Sequence, residues 1–334
     1  MAKPVIFGCE GAVLSASERA FFRDADPLGF ILFARNCETP DQVKRLVADL
    51  RESVGRGTAP ILIDQEGGRV ARLKPPHWPA YPAPAAIAAL GGLRAREAAW
   101  LAARLIADDL GQLGITVDCA PVLDVPVGGA DPVIGDRAWG DHPQTVAENG
   151  LAACDGLMAG GVLPVIKHIP GHGRATVDSH RALPVVKTPR AELDSTDFAP
   201  FRALASMPWA MTAHVLYTAI DPDQPATLSP RVIADVIRAG IGFDGVLLSD
   251  DLSMAALGGK IEARALDALR AGCDLVLHCN GILDEMQAIA AAIGPMTGDA
   301  QRRVATGEER RAAPRGFDRF AAERRLAALL AQRP

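Results

Sequence analysis

The sequence predicts an α/β protein folded as a single-domain (β/α)8 TIM-type barrel. Three observations carry that expectation. Eight short apolar runs recur along the chain, amphipathic helical stretches lie between them, and a polar or charged residue stands just past nearly every run. Apolar strands alternating with helices imply a parallel sheet covered on its outside, and eight repeats suggest that the sheet closes. An open doubly wound sheet is the weaker alternative, because no glycine-rich dinucleotide turn follows the first run.

In chain order, "PVIFG" leads to Glu10, and "GFILF" leads to Arg35 and Asn36, followed by the helical stretch "TPDQVKRLVADLRESV". "APILI" leads to Asp64. The proline- and alanine-rich "PPHWPAYPAPAAIAALGG" reads as a long loop over the barrel mouth before a helix in "LRAREAAWLAARLIADDLGQLG". "ITVDCAPVL" leads to Asp124, and a helix is expected in "HPQTVAENGLAACDGLMAGG". "VLPVI" leads to Lys167 and His168, "WAMTA" to His214 and "GVLLS" to Asp250. The helix "KIEARALDALRAGC" precedes "DLVLH", which ends at His278 and Asn280. After Pro295 the pattern weakens until "FAAERRLAALLAQ", so a helical segment over about 316–334 is expected outside a barrel domain spanning 1–334. The C-terminal strand ends of such a barrel surround one pocket, so polar residues far apart in sequence are expected to converge there.

The 334 residues, 49% of them hydrophobic, suffice for a full core. No apolar run reaches the length of a membrane span, and the first residues lack the pattern of a signal peptide. A net charge of -5 gives no footprint for nucleic acid. The six cysteines have no paired or zinc-finger spacing and read as reduced core residues. The expectation is a cytoplasmic, monomeric protein with a small-molecule ligand and no nucleic-acid or membrane partner.

Two places carry chemistry. In "GFDGVLLSDDLSM", Asp250 follows the seventh run directly, and a carboxylate held rigidly at a strand end is equipped to attack an electrophilic carbon. In "KHIPGHGRATVDSHRALP", Lys167 and His168 end the fifth run, and the segment 170–183 reads as a long flexible loop. Asp178 and His180, two apart, point the same way if the segment is extended, so the carboxylate can orient the imidazole for proton transfer. Three other readings stay open on the residues alone: a zinc site from His168, His172, Asp178 and His180, a phosphate cradle, and a purely structural His172.

The motifs "IDQEGGRVARL", "CAPVLDV", "DPVIGDRAWG", "KHIPGHG", "DSHRALP", "MTAHVLY" and "LLSDDLSM" together resemble, in order, those of family 3 glycoside hydrolases. They are most similar to its bacterial β-N-acetylglucosaminidases of peptidoglycan recycling. The resemblance implies a retaining exo-glycosidase with N-acetylglucosaminyl-1,6-anhydro-N-acetylmuramic acid or its peptides as substrate; no cofactor is expected, and no metal, because the sequence offers no rigid three-ligand set. It implies Asp250 as nucleophile, His180 as acid/base and Asp178 as its partner. It also implies Asp64, Arg137, Lys167 and His168 as sugar-holding residues, with Arg72 a weaker candidate. Two positions depart from the pattern: Ile169 stands where Phe is common, and His278 where a smaller apolar residue is usual. The rivals are a glycoside phosphorylase on the same site, a metal-dependent hydrolase, and a sugar-binding protein without activity.

Overall fold

Residues 2–332 are described by the computed structural model. Ten strands form: β1 (Lys3–Gly8), β2 (Pro27–Leu32), β3 (Ile61–Ile63), β4 (Val117–Asp118), β5 (Leu163–Ile169), β6 (Val185–Val186), β7 (Trp209–Thr212), β8 (Leu216–Tyr217), β9 (Val246–Asp251) and β10 (Leu275–His278). Eight of them close a parallel barrel in the order β1-β2-β3-β4-β5-β7-β9-β10, with β10 returning to β1. The two-residue strands β6 and β8 pair only with each other, beside the barrel. Each of the eight apolar runs overlaps one barrel strand.

Successive side chains of a strand face opposite ways, and the burial pattern divides along that line. One apolar cluster takes Ile6, Ile31, Leu62, Val117, Leu163, Val165, Trp209, Met211, Val246, Leu248, Leu275 and Leu277, from all eight strands, and is the barrel interior. Their neighbours Val5, Phe30, Ile61, Ile166, Ala210, Leu247 and Val276 belong to the second, larger cluster beneath the helices.

The four helical stretches form helices at Pro40–Ser53, Gly92–Gln112, Pro143–Ala159 and Ile261–Ala271. The second and third pack closely because Gly156 lies against the Trp100 carbonyl, where a Cβ would come within 2.4 Å. A helix without an expectation behind it, Ala16–Ala25, is started by a capping box between Ser15 and Glu18.

One expectation needs correction and two gain detail. The proline-rich segment does not cover the mouth. It contains a short helix, Pro84–Ala88, and lies against the side of the barrel, where the Tyr81 hydroxyl donates to Asp109 at 2.5 Å. In the stretch after Pro295, where the sequence pattern weakens, Thr297 caps a helix at Gly298–Glu309. Met296 and Ala300 join the interior cluster there, and Gly307 lies against Trp209, so this helix closes the N-terminal end of the barrel. Within 316–334 the helix is Arg319–Leu330; residues 333 and 334 of that expectation lie outside the described residues. Arg319 ties it to Asp108 and Asp109 of the Gly92–Gln112 helix, at 2.8 and 2.7 Å. Among the described residues no helix is long and apolar enough to cross a membrane.

Candidate active site

The inward-facing rows change character at the C-terminal end of the barrel. Val246 and Leu248 are followed in the same row by Asp250, Leu163 and Val165 by Lys167, and Leu62 by Asp64. The period of two that buries the apolar residues thereby lifts charged ones to the mouth. They line a cavity of about 550 Å³ together with Glu66, Arg72, Arg137, His168, Asp178 and His180.

On one side of the cavity, charges pair densely. Lys167 Nζ lies 2.8 Å from Asp64 Oδ1 and 2.7 Å from Glu66 Oε1. Arg72 donates to the other Asp64 oxygen at 2.9 Å, and Arg137 grips Glu66 with two bonds of 2.8 Å. Burial alone would push both carboxyls up and the amine down. The opposite charges win: Asp64 is held well below the usual carboxylate range by Lys167 and Arg72, and Glu66 is held down to about 2 by Lys167 and Arg137. Lys167 is raised above its ordinary value by the same carboxylates, so the cluster is fully ionised at neutral pH. Glu66 was not singled out from the sequence. Its signal was the spacing Asp-Gln-Glu, which turns Asp64 and Glu66 one way while the Gln65 side chain accepts from the Arg72 and Leu73 amides at 2.8 and 3.0 Å.

Across the cavity stands Asp250. Burial raises its pKa, but the nearby imidazoles of His168 and His214, the Asp251 amide and Lys167 lower it further, so the net shift is downward and the group is a carboxylate. Its Oδ1 accepts from the Asp251 amide at 2.8 Å. The neighbouring carboxylate is occupied otherwise: Asp251 accepts from the Ser253 amide and hydroxyl at 3.1 and 2.5 Å and from the Cys279 amide at 3.2 Å. His214 is fully buried. Its Nε2 donates to the Asp251 carbonyl at 3.0 Å and its Nδ1 lies 2.7 Å from Thr227 Oγ1, which fixes the backbone that presents Asp250.

Asp124 organises the third side. Its Oδ2 is 2.7 Å from His168 Nδ1, and its Oδ1 accepts from the His168 and His172 amides at 3.2 and 2.6 Å. With Nδ1 engaged, Nε2 is the His168 nitrogen available to a bound molecule. The Lys167–His168 and Ile169–Pro170 peptide bonds are cis. The segment expected as one loop over 170–183 divides in two. Its stem, Gly171–Gly173, is buried, with Gly173 so close to Val125 that a Cβ would come within 1.9 Å of the Val125 carbonyl oxygen. Its tip carries Asp178, whose Oδ1 lies 2.8 Å from His180 Nδ1 and accepts the His180 amide at 2.9 Å. Burial works against the Asp178 carboxylate, but the His180 contacts prevail and its pKa is lowered.

A family model described as "Glycosyl hydrolase family 3 N terminal domain" matches residues 14–309. The chain belongs to glycosyl hydrolase family 3. The "Beta-hexosaminidase" of Alkalilimnicola ehrlichii is 40% identical over 284 residues, covering 83% of this chain and 80% of that protein. The structure of NagZ from Neisseria gonorrhoeae in complex with N-trifluoroacetyl-D-glucosamine matches with a TM-score of 0.89 and 33% identity, over 98% of both chains. NagZ from the same organism in complex with zinc ion matches with a TM-score of 0.87 and 32% identity, over 98% of both chains.

In this family 3 glycosidase not every polar strand end reaches the cavity. Asn280 and Arg35 line it, whereas Glu10 does not, and Asn36 is buried beside it, donating to the Cys9 and Gly11 carbonyls. His278 faces outward from the barrel. It is fully buried, with Nε2 2.7 Å from Glu285 Oε2 and its ring edge-on to Phe7, and so is a spectator of the site. Among the described residues no three His, Cys, Asp or Glu side chains are grouped so as to hold a metal ion.

Proposed function

We propose that this glycosidase is a retaining exo-β-N-acetylglucosaminidase acting on muropeptide fragments such as N-acetylglucosaminyl-1,6-anhydro-N-acetylmuramic acid. The observation that carries the reading is one cavity shared by an ionised, half-buried carboxylate, Asp250, and an imidazole paired with a carboxylate, His180 with Asp178. The names of the relatives and the resemblance of the motifs support the sugar and its source.

In this reading a carboxylate oxygen of Asp250 attacks the anomeric carbon as the glycosidic C–O bond breaks, and the leaving oxygen takes a proton from His180 Nε2. Asp178 engages Nδ1, which leaves Nε2 as the nitrogen that gives the proton. Water then attacks the glycosyl ester, His180 takes its proton, and Asp250 is released. Asp64 accepts from sugar hydroxyls while Arg72, Arg137, Lys167 and His168 supply donors, and charge-assisted bonds of this kind are about twice as strong as neutral ones. We take residues 1–334 as one catalytic unit, active as a monomer. Six free cysteines suit the reducing cytoplasm.

The test is the His180→Ala variant on two substrates. Cleavage of the natural disaccharide should fall about a hundred- to ten-thousand-fold, while release of an acidic phenol from an aryl glycoside should be little affected in the first step. A glycosyl-enzyme should then accumulate, and mass spectrometry should find one sugar on the peptide carrying Asp250. Equal losses on both substrates without an adduct would overturn the assignment. With the wild type, turnover that required phosphate and gave a sugar 1-phosphate would make the enzyme a phosphorylase. The zinc complex of the Neisseria relative makes metal the other reading to test. Dialysis against a chelator should leave turnover unchanged, and loss restored by zinc would favour a metal hydrolase.

A further inference from the structure

Between Thr176 and Leu183 the chain is exposed or half-buried at every residue except Ser179. Asp178 and His180 flank it, and the His180 side chain is 67% exposed. An exposed tip has many conformations open to it, and a proton donor must be held within hydrogen-bond reach of the leaving oxygen. Something has to fix the tip, and Ser179 is the residue in position to do so. The segment is not extended as its spacing suggested: the Arg181 and Ala182 amides both donate to the Asp178 carbonyl, and in that turn Ser179 is the one buried residue of the tip. Ser179 Oγ lies 3.2 Å from Nε2 of the buried His172, and the Ser179 carbonyl accepts from the Ala256 amide at 3.1 Å.

We propose that Ser179 is a positioning residue for proton transfer: clasped by the His172 ring on one side and the Ala256 amide on the other, it holds the Asp178–His180 pair at the cavity. The proposal rests on His180 being the acid/base. The clasp joins two parts of the site. His172 is anchored by its amide to Asp124, the carboxylate that also orients His168, and Ala256 lies in the segment that follows Asp250 on β9. Ser179 thus ties the tip to both the sugar-facing side and the nucleophile's side of the mouth. Burial, followed by the neighbouring His168, lowers the His172 pKa to about 4, so the ring is neutral at working pH and its bond to the serine does not vary with pH there. Ser179 is the only hydrogen-bond partner of this ring among the described residues, because Nδ1 is buried without one. The imidazole takes no part in the chemistry described above, and the clasp accounts for its place.

The experiment compares wild type, Ser179→Ala, Ser179→Thr and His180→Ala on aryl β-N-acetylglucosaminides whose phenols span a wide range of acidity, together with the disaccharide. Ser179→Ala removes the hydroxyl and leaves the backbone bond to Ala256. It should lower kcat about tenfold on the disaccharide and the least acidic phenols, leave kcat/KM on the most acidic phenol within about twofold, and leave KM unchanged. Ser179→Thr keeps the hydroxyl and should restore most of the loss. If His180→Ala depends steeply on the leaving group while Ser179→Ala follows wild type, or loses activity equally on all substrates, the clasp is overturned and the function stands. Failure of Ser179→Thr to recover activity that Ser179→Ala lost selectively would also overturn it, since the hydroxyl would not be the cause. A flat response in His180→Ala would remove the function reading, and the clasp with it.

Discussion

Asp250 and Asp251 are adjacent and chemically identical, yet they have different work. Asp250 continues the inward row of Val246 and Leu248 and, among the described residues, accepts only the Asp251 amide, whereas Asp251 accepts three bonds that shape the turn after β9 and its junction with Cys279. The two substitutions should therefore separate activity from stability. Asp250→Ala should abolish turnover on every substrate with the melting temperature little changed, because the half-buried carboxylate accepts a single backbone bond. Asp251→Ala should keep a substantial fraction of kcat and lose roughly 1–3 kcal/mol of stability, because buried donors are left unpaired. Parallel assays and urea melts of the two variants would check this, and a dead but stable Asp251→Ala would reverse the assignment.

The loop after β5 works as an element because its stem cannot move independently of its neighbour. Gly173 touches the Val125 carbonyl, the Val127 amide donates to Gly173, and the Asp131 amide donates to Ala175. Those contacts tie the segment bearing His180 to the segment bearing Arg137. Gly173→Ala should force the two apart, with about 1–3 kcal/mol lost to overpacking and a fall in kcat larger than any change at equally buried positions far from the mouth. Urea unfolding and kinetics of the one variant measure both. The strands were legible in the sequence because each is a short, continuous apolar run, and Asp64, Lys167 and Asp250 were legible because they sit directly past such runs. Glu66 was harder to see, as it lies in a glycine-rich turn whose shape depends on Gln65 reaching back to Arg72 and Leu73. The floor helix Gly298–Glu309 was missed because its apolar contacts are few and small, Ala300 and Gly307 among them, and its partner is the barrel end rather than a neighbouring helix. His278 was ambiguous because sequence position does not reveal on which side of the wall a strand's last residue falls.

Over the whole molecule, stability should respond to pH in two opposite windows. Glu66 is held at about 2 against an ordinary 4.5, so its contribution is complete above about pH 4.5 and is lost as pH falls through about 2. Asp118 behaves the other way. It is fully buried, its Oδ1 accepts the Gln65 amide at 2.9 Å, its Oδ2 has no partner among the described residues, and burial raises its pKa from 3.8 to about 7. The folded state therefore retains a proton that the unfolded chain has lost, and this site costs stability progressively as pH rises from about 4 to 7. Asp118→Asn imitates the protonated form. It should match wild type near pH 4 and exceed it at pH 8 by up to about 4 kcal/mol, as read from urea unfolding at the two pH values. A variant no more stable than wild type at pH 8 would show that Asp118 ionises without penalty. The floor at the other end of the barrel bears on the traffic of molecules. Because the Gly298–Glu309 helix closes the interior below, the cavity is entered from the strand ends above. A polymer cannot be threaded through a closed end, so under the proposed exo-cleavage each event would end with complete departure. In that reading the aglycone would stand nearer the opening and leave first, and the monosaccharide would leave last. The free monosaccharide, not the larger fragment, would then be the product that competes with incoming substrate for the empty enzyme.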